Sequence, residues 1–106
     1  MLTDIEVAKK LLKIHQSAQA RNLDFDLSFS EVKRLLSVKK CFYSGEELES
    51  DEKSENQRTF DRVDNTKGYV NGNVVACTKK INHLKNNLTI EEIKIIVKGL
   101  KKKKLW

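Results

Sequence analysis

The chain has 106 residues, 34% of them charged and 39% hydrophobic, and its formal net charge is +6 at pH 7. That length suits a single domain built around one hydrophobic core. No run approaches the roughly 18 apolar residues of a membrane span, and the opening residues MLTDIEVAKK lack the apolar stretch of a secretory signal. We therefore expect one intracellular domain over residues 1–106 that does not enter a membrane.

Charge is unevenly distributed along the chain. Residues 46–58 carry six acidic and two basic side chains, a net charge of −4, which leaves +10 for the rest. A positive field of this size favours a polyanionic partner, and nucleic acid is the usual one. The alternative is a lysine-rich surface that serves only solubility.

Three segments open with the pattern Ser/Thr-x-x-Glu, at Thr3, Ser28 and Thr89. In this pattern the two side chains satisfy backbone amides at the start of a helix. Apolar residues follow each start at helical spacing. The predicted helices cover residues 4–21, 29–38 and 89–103.

The pattern changes between the second and third of these helices. One run here alternates like a strand, a second short run can pair back on it, glycine and asparagine mark the turns between them, and a final run has apolar residues at helical spacing. In chain order we predict a strand and turn at 41–45, a polar loop at 45–56, strands at 58–63 and 73–77, and a helix at 78–88. The whole chain is therefore expected to have an α+β fold.

Two polar residues of this middle part could share one cation. Asp61 lies on a predicted strand and Asn82 on the helix that follows, so packing of the two elements could bring both side chains together. A carboxylate and an amide oxygen suit Mg²⁺ or Mn²⁺ better than zinc. The sequence therefore predicts a site for one such ion.

The segments CFYSG, DRVDNTKGYVNGNVVACTKKINHLK and LTIEEIKIIVKGL resemble, in this order, the small phage and intron-type proteins of the HNH (ββα-metal) endonuclease superfamily. The resemblance implies a ββα-metal core at 40–88, a helical part at 1–39 before it, and a C-terminal helix with a basic tail at 89–106. It also implies a divalent-metal-dependent DNA endonuclease or nickase, a hydrolase of phage or mobile-element origin acting in the cytoplasm of an infected bacterium.

The same resemblance assigns roles to individual residues. Asp61 and Asn82 stand at the two metal-ligand positions, and Asn73 stands where the family has an asparagine that orients the base and stabilises the loop. Arg62 occupies the position of the histidine that acts as general base. These four residues are the predicted catalytic set.

The chain departs from the zinc-binding relatives at the two Cys-x-x-Cys pairs that join their hairpin to their helix. The matching positions hold Cys41, Ser44, Thr78 and Ile81. Because one thiolate cannot form a tetrahedral zinc site, we expect structural zinc to be absent. Cys77 is predicted to be a buried thiol. Apolar packing is expected to replace the zinc, around Ile81, Leu84, Phe42 and Tyr43.

The second departure concerns catalysis, because a guanidinium such as that of Arg62 does not take a proton near neutral pH. Three interpretations follow. The metal could work with a substitute base, such as Asp64 or His83, or with none. The fold could bind DNA with little or no cleavage, or it could bind a host or phage protein, for example as an inhibitor.

Basic residues cluster around the motif and could neutralise backbone phosphates without reading sequence. The predicted phosphate contacts, besides Arg62, are Arg58, Lys67, Lys79, Lys80 and Lys85.

Overall fold

This computed structural model describes residues 2–106. They form four helices and one antiparallel pair of strands, joined by turns and loops. The predicted α+β class is confirmed. None of the helices among these residues has the length and hydrophobicity needed to cross a bilayer. In chain order the elements are α1 (Asp4–Ala20), α2 (Phe29–Ser37), β1 (Arg58–Arg62), β2 (Val74–Thr78), α3 (Lys79–Lys85) and α4 (Ile90–Lys102).

The helices begin within one residue of their predicted starts. The predicted reciprocal caps, however, are not all complete. At α4 the cap is complete, because Thr89 and Glu92 each accept a bond from the other's backbone amide. At α2, Ser28 accepts from the Glu31 amide, while the Glu31 carboxylate pairs with Arg34 at 2.7 Å instead. The hydroxyl caps therefore start these helices, and at α2 the acidic half of the motif has another partner.

The hydrophobic core lies between the N-terminal helices and the sheet. Helix α1 packs against α2, and α2 packs against β2. The core side chains are mostly aliphatic, and all but one come from residues 1–39; they are Val7, Ile14, Leu27, Val32, Leu35 and Val74. The sheet is therefore held in place largely by the helical part.

Strands β1 and β2 pair in a register that places Phe60 opposite Ala76 and Asp61 opposite Val75. Helix α3 follows β2 without a loop and packs on both strands. Thr78 ends β2 and also caps α3, because its hydroxyl accepts a bond from the Ile81 amide. This junction sets the direction in which α3 crosses the sheet.

The strand predicted at 41–45 is wrong. Residues 41–45 form a turn closed by a bond from the Gly45 amide to the Cys41 carbonyl, and the nearest bridge is the isolated one between Lys40 and Glu47. The Phe42 amide donates to the Ala76 carbonyl of β2 at 2.9 Å, but the turn reverses the chain there and no ladder of strand hydrogen bonds forms. The acidic stretch that follows is folded back on Gln57 and Arg58 by backbone bonds.

Helix α4 stands apart from the rest of the fold. None of its residues is buried, and Ile95 and Ile96 are 70% and 50% exposed. The described part of the chain measures 50 × 29 × 22 Å.

Candidate functional site

A polar cavity of about 500 Å³ opens between β1, α3 and the C-terminal end of α1. Its wall combines one acidic residue with several cations, amides and aromatic rings. The lining residues are Arg21, Phe60, Asp61, Arg62, Tyr69, Lys79, Asn82, His83, Asn86 and Asn87. Three of the four predicted catalytic residues therefore meet at one surface.

Asp61 lines this cavity and is 8% exposed as a residue. Its Oδ2 accepts a hydrogen bond of 2.7 Å from the Tyr43 hydroxyl and lies 3.1 Å from the Lys85 ammonium. Burial, and then the bond to Asp61, raise the pKa of Tyr43, so that hydroxyl remains a proton donor. The carboxylate is thereby held in one orientation from the side opposite the cavity.

Asn82 is oriented by a short chain of hydrogen bonds. The Thr59 hydroxyl donates to the Cys77 carbonyl at 3.2 Å and accepts from the Asn82 side-chain amide at 3.2 Å. This bond uses the nitrogen of Asn82, and within residues 2–106 its Oδ1 has no hydrogen-bond partner. The amide oxygen is therefore available to a ligand in the cavity.

Arg62 lies at the cavity wall but is also tied to its own loop. Its Nη1 donates to the carbonyls of Asn65 and Lys67 at 3.1 and 2.8 Å, and the guanidinium stands 5.7 Å from the centre of the Tyr69 ring. One guanidinium nitrogen therefore serves the loop. Within residues 2–106 the other two nitrogens have no hydrogen-bond partner, and they could contact a phosphate.

Asn73 does not line the cavity. It is buried inside the loop that joins β1 to β2, where its Oδ1 accepts from the Asp64 amide and its Nδ2 donates to the carbonyls of Asp64 and Gly68. All three bonds are 2.9 to 3.0 Å long. Asn73 therefore holds the loop that follows Arg62 and carries Tyr69, and any contact with a reacting group stays a prediction.

The two candidate substitute bases have different positions. His83 is exposed and lines the cavity beside Asn82. The Asp64 carboxylate instead accepts bonds from the Thr66 hydroxyl and amide, which lower the pKa of Asp64. Because Asp64 lies outside the cavity wall, His83 is the better placed of the two.

The predicted phosphate contacts also separate. Lys79 lines the cavity, although its ammonium donates to the Glu52 carbonyl at 2.9 Å, while Lys67 and Lys80 are exposed but do not line it. Arg58 does not line the cavity, because its guanidinium donates to the Leu35 carbonyl. Burial lowers the pKa of this guanidinium. Lys85 is 5% exposed and paired with Asp61, so the structure does not present it to a phosphate, contrary to the sequence prediction.

Sequence reasoning missed several residues of the site. Arg21 ends α1 and donates to the Tyr69 hydroxyl at 3.2 Å, so both side chains form the far wall of the cavity. Tyr43 was assigned to packing, but its hydroxyl holds Asp61. Tyr69 belongs to the Lys-Gly-Tyr motif and could have been suspected. Arg21 carries no signal in the sequence, because only the packing of α1 places it there.

The oxygen donors of the cavity fit a hard divalent cation. Asp61 supplies a carboxylate and Asn82 an amide oxygen from the facing helix, which is the donor chemistry that Mg²⁺ and Mn²⁺ prefer. No group of three or more His, Cys, Asp or Glu suited to a metal occurs in the described residues. An ion held here therefore needs further oxygens from water or a substrate.

Cys41 and Thr78, which the resemblance predicted from the sequence matches to zinc-ligand positions, are directly linked. The Cys41 sulfur accepts weak bonds of 3.5 Å from the amides of Ser44 and Thr78. Burial alone would raise the pKa of the Cys41 thiol, but these bonds lower it overall. The 41–45 turn is thus joined to the start of α3 through this sulfur.

The apolar packing predicted for this region is wrong in part, because Phe42 and Leu84 are 62% and 63% exposed. The buried side chains at this junction are instead Cys41, Cys77 and Thr78, and the prediction of Cys77 as a buried thiol is confirmed. Burial raises the pKa of Cys77 to about 11.

Chelators are expected to leave the stability of the chain unchanged. The contacts at this junction are hydrogen bonds and van der Waals packing, which EDTA cannot remove. The thermal unfolding midpoint measured with excess EDTA should equal that measured without it. A fall of many degrees would show that a structural metal is present.

No family model matches the chain, and no solved structure matches it. An uncharacterized 29.0 kDa protein in the dda-modA intergenic region of Enterobacteria phage T4 is 36% identical over 88 residues. That match covers 83% of this chain and 35% of the phage protein, so the chain spans about a third of the length of this relative.

Proposed function

We propose that the chain is a small HNH-like, divalent-metal-dependent DNA endonuclease or nickase encoded by a phage or mobile element. One observation carries the proposal: β1 and α3 bring Asp61 and Asn82 to the same polar cavity, next to the cations of Arg62 and Lys79. The strand–strand–helix order from Arg58 to Lys85 also fits the ββα core that the sequence motifs suggest. The similarity to a phage protein agrees with the proposed origin.

The reaction is hydrolysis of a phosphodiester, in which the oxygen of water joins the phosphorus and the bond to one ester oxygen breaks. A divalent ion at Asp61 and Asn82 would supply a more acidic water and offset charge on the phosphate. Arg62 and Lys79 bind the phosphate and stabilise the charge that develops on it. His83, on the same wall, takes the proton from water, since an imidazole can accept one near neutral pH.

The test of this proposal is conversion of supercoiled plasmid to nicked or linear form with Mg²⁺ or Mn²⁺. We expect nicking by the wild type that EDTA stops. Arg62→His should nick at least about tenfold faster, because it places an imidazole at the position that the resemblance gives to the general base, for which His83 is only a substitute. Arg62→Gln is the matched control, since it removes the same charge without adding a base, and it should not be accelerated.

The possible outcomes separate the interpretations. Nicking by Arg62→His but not by the wild type would mean that the fold is kept for binding. Absence of nicking by both proteins, with either metal, would contradict the nuclease proposal.

A binding function is the second candidate, and one observation favours it. Lys85 already occupies one side of the Asp61 carboxylate, and Arg62 stands at the position of the base. If the cavity binds DNA without cutting it, affinity should still fall steeply as salt rises, because phosphate contacts release counterions. An affinity for DNA that does not depend on salt would turn attention to a protein partner.

A further inference from the structure

The two oxygens of the Asp61 carboxylate have different surroundings. Oδ2 contacts both the Tyr43 hydroxyl and the Lys85 ammonium. Oδ1 has no hydrogen-bond partner within residues 2–106, yet no buried side-chain oxygen of the described chain is left unsatisfied. Oδ1 is therefore in contact with solvent, at the cavity that Asp61 lines. The site offers a cation one carboxylate oxygen, and the other is taken by a cation of the protein.

Lys85 is an integral part of this site. Its side chain is 4% exposed, and its ammonium also donates to the Arg62 carbonyl at 3.4 Å and lies 5.7 Å from the centre of the Tyr43 ring. Burial of an ammonium is costly unless it is paired, and Asp61 supplies the counter-charge. The Asp61–Lys85 pair is neutral as a unit, so it attracts a divalent cation far less than a lone carboxylate does.

The remaining charges of the cavity oppose a metal as well. Asp61 is the one acidic residue on its wall, whereas Arg21, Arg62 and Lys79 are basic. A lining of this sign attracts an anion. A phosphate bound there would offset these cations and would add oxygens that Mg²⁺ and Mn²⁺ coordinate readily.

We propose that Lys85 fixes the order of binding, so that a nucleic-acid phosphate enters the cavity first and the divalent ion binds only afterwards. The proposal rests on the metal site of the proposed function. Lys85 acts as a positioning residue that shares the Asp61 carboxylate with the incoming ion. In the absence of nucleic acid, the lysine and the metal compete, and the lysine prevails because it is covalently attached and already buried.

The experiment measures Mn²⁺ binding directly, by electron paramagnetic resonance of the free ion, with the full chain. The wild type is titrated with and without a short DNA duplex, and Asp61→Ala with the same duplex corrects for Mn²⁺ bound by the DNA itself. We expect wild-type affinity to be at least about tenfold higher with the duplex than without it. Equal affinity in the two conditions would overturn the proposal.

A second prediction concerns a variant of Lys85 in the absence of DNA. Lys85→Met keeps the apolar stem and removes the charge, so without DNA it should bind Mn²⁺ at least about tenfold more tightly than the wild type. Mn²⁺ should also raise the thermal midpoint of this variant and not that of the wild type. If Lys85 were only a packing residue, its loss would weaken Mn²⁺ binding or leave it unchanged. If Lys85→Met does not fold, the wild-type titrations with and without the duplex still test the order of binding.

These results are distinguishable from a failure of the proposed function. Tight Mn²⁺ binding by the wild type without DNA would contradict the binding order and leave the nuclease proposal intact. The expected order of binding without plasmid nicking would support the order and contradict the nuclease. Absence of Mn²⁺ binding in every condition would contradict both.

Discussion

Asp61→Asn is expected to lower the rate of plasmid nicking by at least about a thousandfold, which corresponds to about 4 kcal/mol of lost transition-state stabilisation. The carboxylate is the one anionic oxygen donor on the cavity wall, and its Oδ1 is open to the cavity. The amide has nearly the same shape but no charge. The rate of conversion of supercoiled plasmid at saturating Mn²⁺ is the measurement.

Folding of this variant must be checked, because removing Asp61 leaves Lys85 buried without its counter-ion. Loss of one partner of a buried ion pair typically costs about 3 to 5 kcal/mol. The double variant Asp61→Asn with Lys85→Met removes both charges and should recover stability without recovering nicking. Asp4→Asn, an exposed acid in the first turn of α1, is the matched control and should nick normally. Nicking by Asp61→Asn at the wild-type rate would contradict the assignment.

Gly68→Ala is expected to lower the free energy of unfolding by about 3 kcal/mol or more, by analogy with overpacked cores. A Cβ at this buried position would stand 2.6 Å from the nitrogen and 2.7 Å from the carbonyl carbon of Asp24, and closer still to its oxygen. These are backbone atoms, so a side chain cannot rotate out of the way. The loop must move, which breaks the bonds that join Tyr69 to Asp24 and Asp26 at 2.9 and 3.0 Å.

Denaturant unfolding provides the measurement, and Gly99→Ala provides the control. Gly99 lies in α4 with nothing within 4 Å of an added Cβ, so the same chemical change should leave stability unchanged or raise it by up to about 1 kcal/mol. A Gly68→Ala protein as stable as the Gly99→Ala protein would show that the loop adjusts freely. Because Tyr69 lines the cavity, Gly68→Ala should also weaken DNA binding.

The sequence was most informative where one local interaction decides the structure. Just before each of the four helices, a side-chain hydroxyl accepts a hydrogen bond from a backbone amide of the first turn. The Thr78 hydroxyl does this for the helix predicted at 78–88, which begins one residue later. Alternation of apolar and polar residues located β1, and a short apolar run after a glycine turn located β2. The predicted meeting of β1 with the helix after β2 also follows from local order, since no loop separates β2 from α3.

The sequence was least informative where tertiary packing decides the direction and exposure of a side chain. The spacing of Lys85 on α3 could not show whether its ammonium points to solvent or to Asp61, and the choice depends on how α3 crosses the sheet. Likewise, Phe42 and Tyr43 are adjacent aromatics with similar burial tendencies. Only the fold shows that Phe42 is exposed whereas Tyr43 reaches the carboxylate.

The composition of the core has a consequence for the order of folding. Five of its six residues precede residue 40, and β2 adds Val74. A two-stranded hairpin has little stability alone, so we infer that α1 and α2 must associate before β1 and β2 can persist. The cavity is therefore completed late, when the end of α1 meets the loop at Tyr69. A fragment that begins after α2 would retain the motif residues but lack the support that brings them together.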